Sequence, residues 1–222
     1  TPITAGTWTA ACAAANATLE ATDLVRDGGE HAVYALSRPP GHHATGNRFG
    51  GYCFLNHAAL CAANLATKGK VAIVDVDYHH GNGTQEIFYA RGDVLFISLH
   101  ADPAWEYPLY WGRADETGSG EGHGATLNIP LPRGVQNADY LRHLSAATQR
   151  LRAFAPTYLV VSVGFDTWKN DPLGTFQLSA EGIGAIGACL AELALPTVII
   201  QEGGYDVPAL GDLAVRFLAP FA

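Results

Sequence analysis

Apolar residues along this chain fall into two alternating rhythms. Short continuous runs, VAIVDV (71–76), VLFISLH (94–100), TYLVVSV (157–163) and TVIIQ (197–201), read as strands buried on both faces of a parallel sheet. HAVYAL (31–36) reads as a further strand. Between them the pattern turns helical: an Ala-rich stretch over 7–26, then 55–67, 84–90, 137–154, 179–194 and 208–219. Lys68-Gly69 supplies the second helix with a basic last turn and a glycine stop. The Gly- and Pro-broken segment 38–52 and the polar stretch running to about residue 126 read as loops. Strand, loop, helix and strand in repetition predict an α/β fold, a central parallel sheet with helices on both faces in three layers.

Glycine and proline are spread evenly, with no linker, repeat or low-complexity tract, so residues 1–222 are expected to form one domain. Hydrophobic residues make up 48% of the chain, enough for a large core and incompatible with intrinsic disorder. The net charge of −8 argues against nucleic-acid binding, which needs basic surface, and suits cationic ligands. The four cysteines, Cys12, Cys53, Cys61 and Cys189, form no CxxC pair, which favours a reducing, cytoplasmic setting; Cys53 reads as a small buried hydrophobe. No run reaches the roughly 18 apolar residues of a membrane span, and no secretory signal opens the chain. The absence of Met and the opening Thr1-Pro2 lead us to expect a fragment or a processed product.

In open parallel sheets, ligands bind beyond the carboxyl ends of the strands. Chemically capable residues follow four of the strands here. They are Pro39-Pro40-Gly41-His42-His43, then Asp75 to Gly83, then Gly164-Phe165-Asp166-Thr167, then Glu202-Gly203-Gly204-Tyr205-Asp206. Side chains two apart on an extended segment point the same way, so Asp77 and His79 can converge on one ion. Asp166 follows an apolar strand directly, where a carboxylate is costly unless paired or metal-bound. One imidazole and two carboxylates make a three-ligand set with room for water, as in catalytic Zn²⁺ sites; Fe²⁺ or Co²⁺ would also suit it. His42 and His43 are candidates for a general base, with Asp75 and Asn82 available to orient them. Tyr205, behind two glycines, could donate to a carbonyl oxygen as charge develops on it.

These residues resemble the zinc-dependent histone deacetylase superfamily, which has an arginase-like α/β fold. The resemblance rests on RPPGHHA, FGGYCFLNHAA, DVDYHHGNGTQEIFY, ISLHADP, GFDT and EGGYDVPALG, in the family's order and approximate spacing. HADPAWEYP followed by GRADETGSGEGHGAT is most similar to the bacterial acetylpolyamine amidohydrolases. The resemblance implies that Asp77, His79 and Asp166 hold Zn²⁺. It makes His43, paired with Asn82, the general base, and His42, paired with Asp75, an electrostatic partner. Tyr205 would polarise the acetyl carbonyl, and Gly51 would offer its carbonyl to the amide N–H. Tyr52 and Tyr107 would line a narrow acyl-chain tunnel. It further implies a monovalent cation, K⁺ or Na⁺, on backbone oxygens around Asp75, Asp77, His79, Ser98 and Leu99, and an outer one near Phe88, Arg91 and Val94. Family members also carry an N-terminal portion, with a dimer-forming insertion in the polyamine branch, so a homodimer is expected of the full-length protein.

The resulting expectation is an amidohydrolase that removes acetyl groups from small cationic N-acetylated polyamines such as acetylputrescine, acetylcadaverine and acetylspermidine. The alternatives are the same chemistry on acetyl-lysine or another small acylamide, and an inactive zinc-binding fragment. A two-manganese ureohydrolase is disfavoured, because only one convincing ligand set is present. The acidic residues Asp102, Glu106, Asp115, Glu116 and Glu121 read as solvated surface; the sharper expectation is that some meet the distal ammonium of a polyamine.

Overall fold

The computed structural model describes residues 1–222. Six strands form one sheet: β1 (Ala32–Ala35), β2 (Val71–Asp75), β3 (Val94–Ala101), β4 (Thr126–Leu131), β5 (Tyr158–Val163) and β6 (Thr197–Gln201). Every pairing is parallel, in the order β1-β6-β5-β2-β3-β4. The helices are α1 (Thr7–Arg26), α2 (His57–Leu65), α3 (Asn82–Phe88), α4 (Asn137–Phe154), α5 (Ala180–Ala191) and α6 (Val207–Leu218).

Alternation along each central strand divides the apolar residues between two cores. Ala72, Val74, Leu159 and Val161 pack with α4, α5 and α6 in the larger one, while Val71, Ile73 and Val160 pack with α1 and α2 in the smaller. That explains the continuous apolar runs: both faces are covered, so no position is free to be polar. The three layers match the expected architecture.

β4 is an addition to the sequence reading, which leaves TLNIPL inside the long loop. It lies at the sheet edge and pairs only with β3, Pro130 opposite His100. An edge strand tolerates a proline that lacks an N–H, and its mixed polarity (buried, partly buried, buried) erases the signal of a buried run.

The strand order sets the site. β2 leads through α3, on the smaller core's side, to β3; its other neighbour, β5, leads through α5, on the larger core's side, to β6. Connections leaving two adjacent strands toward opposite faces open a crevice at their carboxyl ends. Asp75 of β2 pairs with Ser162 of β5 there.

Candidate active site

Asp77, His79 and Asp166 meet at this crevice, with one ligand atom from each within 4.8 Å of the others. The local reason differs from the sequence argument. Residues 77–79 are bent rather than extended, with Asp77 Oδ1 accepting the backbone N–H of His79 at 2.8 Å. The bend turns His79 Nδ1 toward Asp166 Oδ2 (3.0 Å) and Asp77 Oδ1 (3.4 Å). Backbone donors hold the carboxylates in place: Gly203 N–H donates to Asp77 Oδ2 (2.8 Å) and Tyr78 N–H to Asp166 Oδ1 (3.0 Å). Side chains at Gly164 or Gly203 would intrude on this carboxylate pair, with a Cβ falling 1.9 Å and 2.7 Å from Asp77 Oδ2.

Electrostatics follow from burial. Asp77 and Asp166 are 0% exposed. Burial and the Asp77 charge push the Asp166 carboxyl up to about 6. Burial opposes the Asp77 carboxylate too, but the charges and hydrogen bonds of His42 and His79 outweigh it and hold Asp77 below the usual carboxylate range. Burial works against a charged His79, yet the two carboxylates raise it to about 11. Once His79 gives up its proton, its nitrogen and the two hard carboxylate oxygens make a donor set that fits a divalent metal with open positions.

The tandem histidines stack at 4.0 Å but have opposite characters. His42 Nδ1–H donates to Asp75 Oδ2 at 2.9 Å. Burial is the largest single influence on it and lowers its pKa, but Asp75, Asp77 and Glu202 together bring it up to about 10. His43 Nδ1–H donates to the neutral Asn82 Oδ1 at 2.8 Å, which leaves Nε2 free. Burial, then the charges of His42 and His79, hold His43 well below the usual imidazole value. The pair thus supplies one fixed positive charge and one neutral base.

Around them, Gly51 adopts φ +53°, and a Cβ there would lie 2.2 Å from the His43 ring. The Gly51 carbonyl lies 3.4 Å from the Cys53 thiol. Tyr107 stands edge-on to His43 at 4.8 Å, and Tyr52 to Tyr205 at 6.2 Å; both are exposed. Tyr205 is half-buried, and burial with the Asp77 and Asp166 charges keeps its phenol protonated well above the ordinary value. Ser98 lies midway along β3, paired with Asp75, with Leu99 next to it, and Ser98 Oγ is bonded to His100 Nδ1 at 2.8 Å. Phe88, Arg91 and Val94 mark the turn between α3 and β3. All four cysteines are free, and Cys53 is buried.

The acidic loop is less available than its composition suggests. Asp102 accepts from Ala104 N–H (2.8 Å), Glu106 from the Tyr78 hydroxyl (3.1 Å), and Glu116 from Gln85 (2.6 Å) and Gly112 N–H (2.9 Å). Asp115 and Glu121 are exposed.

Sequence reasoning gave no role to two acids. Glu202 is 6% exposed, and its Oε2 accepts the N–H groups of Gly41 (2.7 Å) and His42 (3.1 Å), anchoring the histidine loop. Burial pushes its carboxyl up to about 7. Asp171 accepts from the turn that carries Tyr205. The only sequence signal for either was a carboxylate among glycines or beside a proline at a strand end.

Comparison with known proteins identifies the family. The Histone deacetylase domain family matches residues 1–220. Acetylpolyamine amidohydrolase 1 of Pseudomonas aeruginosa is 49% identical over 219 residues, 98% of this chain and 63% of that protein. Acetylpolyamine amidohydrolase 2 of the same organism is 46% identical over 222 residues, covering 99% of this chain and 64% of that protein. The crystal structure of acetylpolyamine aminohydrolase from Burkholderia pseudomallei superposes with a TM-score of 0.91 at 46% identity, over 94% of this chain and 61% of that one. The chain thus spans a little under two thirds of the length of the curated relatives it matches.

Proposed function

The chain belongs to the histone deacetylase family, and on that footing we propose that it hydrolyses small N-acetylated polyamines of the acetylputrescine type to acetate and free amine. The observation that carries this reading is the placing of a neutral histidine, His43, and a protonated phenol, Tyr205, around the convergence of Asp77, His79 and Asp166. Asp77, His79 and Asp166 would hold Zn²⁺, with Fe²⁺ or Co²⁺ also compatible. When bound, such an ion would supply Lewis acidity toward the amide carbonyl and make water more acidic.

The chain's own groups do the rest. Nε2 of His43 takes the proton of the attacking water, while Asn82 fixes the ring through Nδ1. The Tyr205 hydroxyl donates to the carbonyl oxygen as it becomes an oxyanion. His42, held charged by Asp75, adds positive potential beside that oxygen. His43 then returns the proton to the departing amine nitrogen. Tyr52 and Tyr107 flank the entering methylene chain, and the Gly51 carbonyl faces the amide N–H. The net charge of −8 favours a cationic substrate. We assign K⁺ or Na⁺ to the carbonyl-rich end of β2 and β3, residues 1–222 to one catalytic unit, and, from the free cysteines, the protein to a reducing cytoplasm.

The test is acetate release from acetylputrescine and from an acetyl-lysine peptide by the wild type, His43→Ala and Tyr205→Phe, with metal content measured alongside. Each variant should lose roughly 10²- to 10³-fold in kcat with its metal retained. Wild-type turnover in both variants defeats the reading; a higher kcat/KM on the peptide replaces the polyamine with acetyl-lysine.

A further inference from the structure

Tyr205 sits on a turn with little intrinsic stiffness. Gly204 before it has φ +132°, and α6 begins at Val207 just after it. Upstream the turn is tied to the metal-ligand strands: Gly203 N–H donates to Asp77 Oδ2 (2.8 Å), and its carbonyl accepts from Phe165 N–H (3.0 Å). Downstream the tie is Asp171. This carboxyl is 5% exposed, and its Oδ2 accepts the N–H of Tyr205 at 2.6 Å and that of Asp206 at 3.1 Å. Its Oδ1 accepts the N–H of Leu173 at 2.9 Å, so both oxygens are committed to backbone donors. The Trp168 indole adds a bond from the same loop to Asp206 Oδ2 at 3.0 Å.

We propose that Asp171 is a positioning residue for the hydrolysis proposed above: its carboxylate fixes the backbone on either side of Tyr205, and so the direction in which the phenol meets the substrate carbonyl. Asp171 acts through the backbone it holds, because its two oxygens are occupied by the N–H groups of Tyr205, Asp206 and Leu173. The physical need is plain. A glycine with positive φ leaves the turn free to swing, and an oxyanion donor displaced by about 1 Å loses most of its effect. An amide in place of the carboxylate cannot accept from all three donors, since its NH₂ must oppose at least one of them.

This inference rests on the deacetylation reading, and a double-mutant cycle separates the two. kcat and KM for acetylputrescine would be measured for the wild type, Asp171→Asn, Tyr205→Phe and the double variant, with melting temperatures. Asp171→Asn should lower kcat roughly tenfold or more with KM within about threefold, and should cost under about twofold once Tyr205 is already Phe. An equal proportional loss in both backgrounds, or an unchanged kcat in Asp171→Asn, overturns the proposal while leaving the reaction intact. Wild-type turnover by Tyr205→Phe overturns the reading beneath it. If Asp171→Asn does not fold, Trp168→Phe loosens the same turn from a partly exposed residue. It should lower kcat about threefold in the wild type and not in Tyr205→Phe; the same loss in both, or none, overturns the proposal.

Discussion

His43 and Asn82 are joined, ring Nδ1–H to amide oxygen, at 2.8 Å, whereas His42, one residue earlier, faces the Asp75 carboxylate at 2.9 Å. The neutral partner is what lets burial keep His43 unprotonated. Replacing Asn82 by Asp would place a negative charge at the same distance and favour the imidazolium. His43 must be neutral to accept a proton, so the acidic limb of the kcat/KM profile should move to higher pH by roughly one unit or more. A profile that does not move would show that another group sets that limb.

Gly51→Ala tests how tightly the histidine is seated. The new methyl would lie 2.2 Å from the His43 ring, on a backbone of φ +53° that disfavours a side chain. The ring must shift, and kcat should fall roughly 100-fold while circular dichroism stays native, given the cost of angstrom-scale misplacement. A kcat within about threefold of wild type would remove His43 from the reaction.

Chelation should abolish turnover and lower the melting temperature, and Zn²⁺ should restore both. A ligand present at 100 times its Kd stabilises the fold that binds it by about 2.7 kcal/mol. Asp166→Asn should blunt that stabilisation, because the amide presents a neutral oxygen where His79 Nδ1 now faces a carboxylate at 3.0 Å. An identical Zn²⁺-induced shift in both proteins would place the ion elsewhere.

Stability toward acid has a separate origin in His100. It is fully buried, with Nδ1 on Ser98 Oγ and Nε2 on the Gly112 carbonyl, and burial lowers its pKa to about 4. Between pH 6.5 and 4 the unfolded chain binds a proton there that the folded chain does not. Stability therefore falls as pH drops through that window, by roughly 3 kcal/mol at about 1.36 kcal/mol per pH unit. Denaturant unfolding of His100→Gln should show a slope against pH shallower by about one proton. An unchanged slope would assign the acid sensitivity to its buried neighbour His80, 4.4 Å away ring to ring.

Much of this architecture was legible in the chain. Strands covered on both faces cannot hide their apolar runs, so β2, β3, β5 and β6 emerged within a residue or so of their ends. β4 did not, because an edge position relaxes the demand for apolar residues and admits Pro130. Asp77 and His79 were grouped by their two-residue spacing on a segment read as extended, and Asp166 by its place after an apolar strand; the grouping holds, but through a bend at 77–79. The spacing from Asp77 singled out His79 over its neighbour, and His80 indeed turns into the interior against Gln85 and Asn128. The roles of Glu202 and Asp171 were hidden for a different reason. They act on backbone N–H groups, which every residue carries, and Glu202 reaches one 161 positions away.

The insertion of β5 between β2 and β6 bears on how the chain matures. His79 and Asp166 are 87 positions apart in sequence, so a nascent polypeptide carries half a binding site through the synthesis of β3, β4 and α4. Until β5 arrives, one flank of β2 has bare backbone donors and acceptors, a template for wrong pairings. Closing that flank and bringing Asp166 to Asp77 and His79 are one event, while β1 still waits for β6 to join it to the sheet.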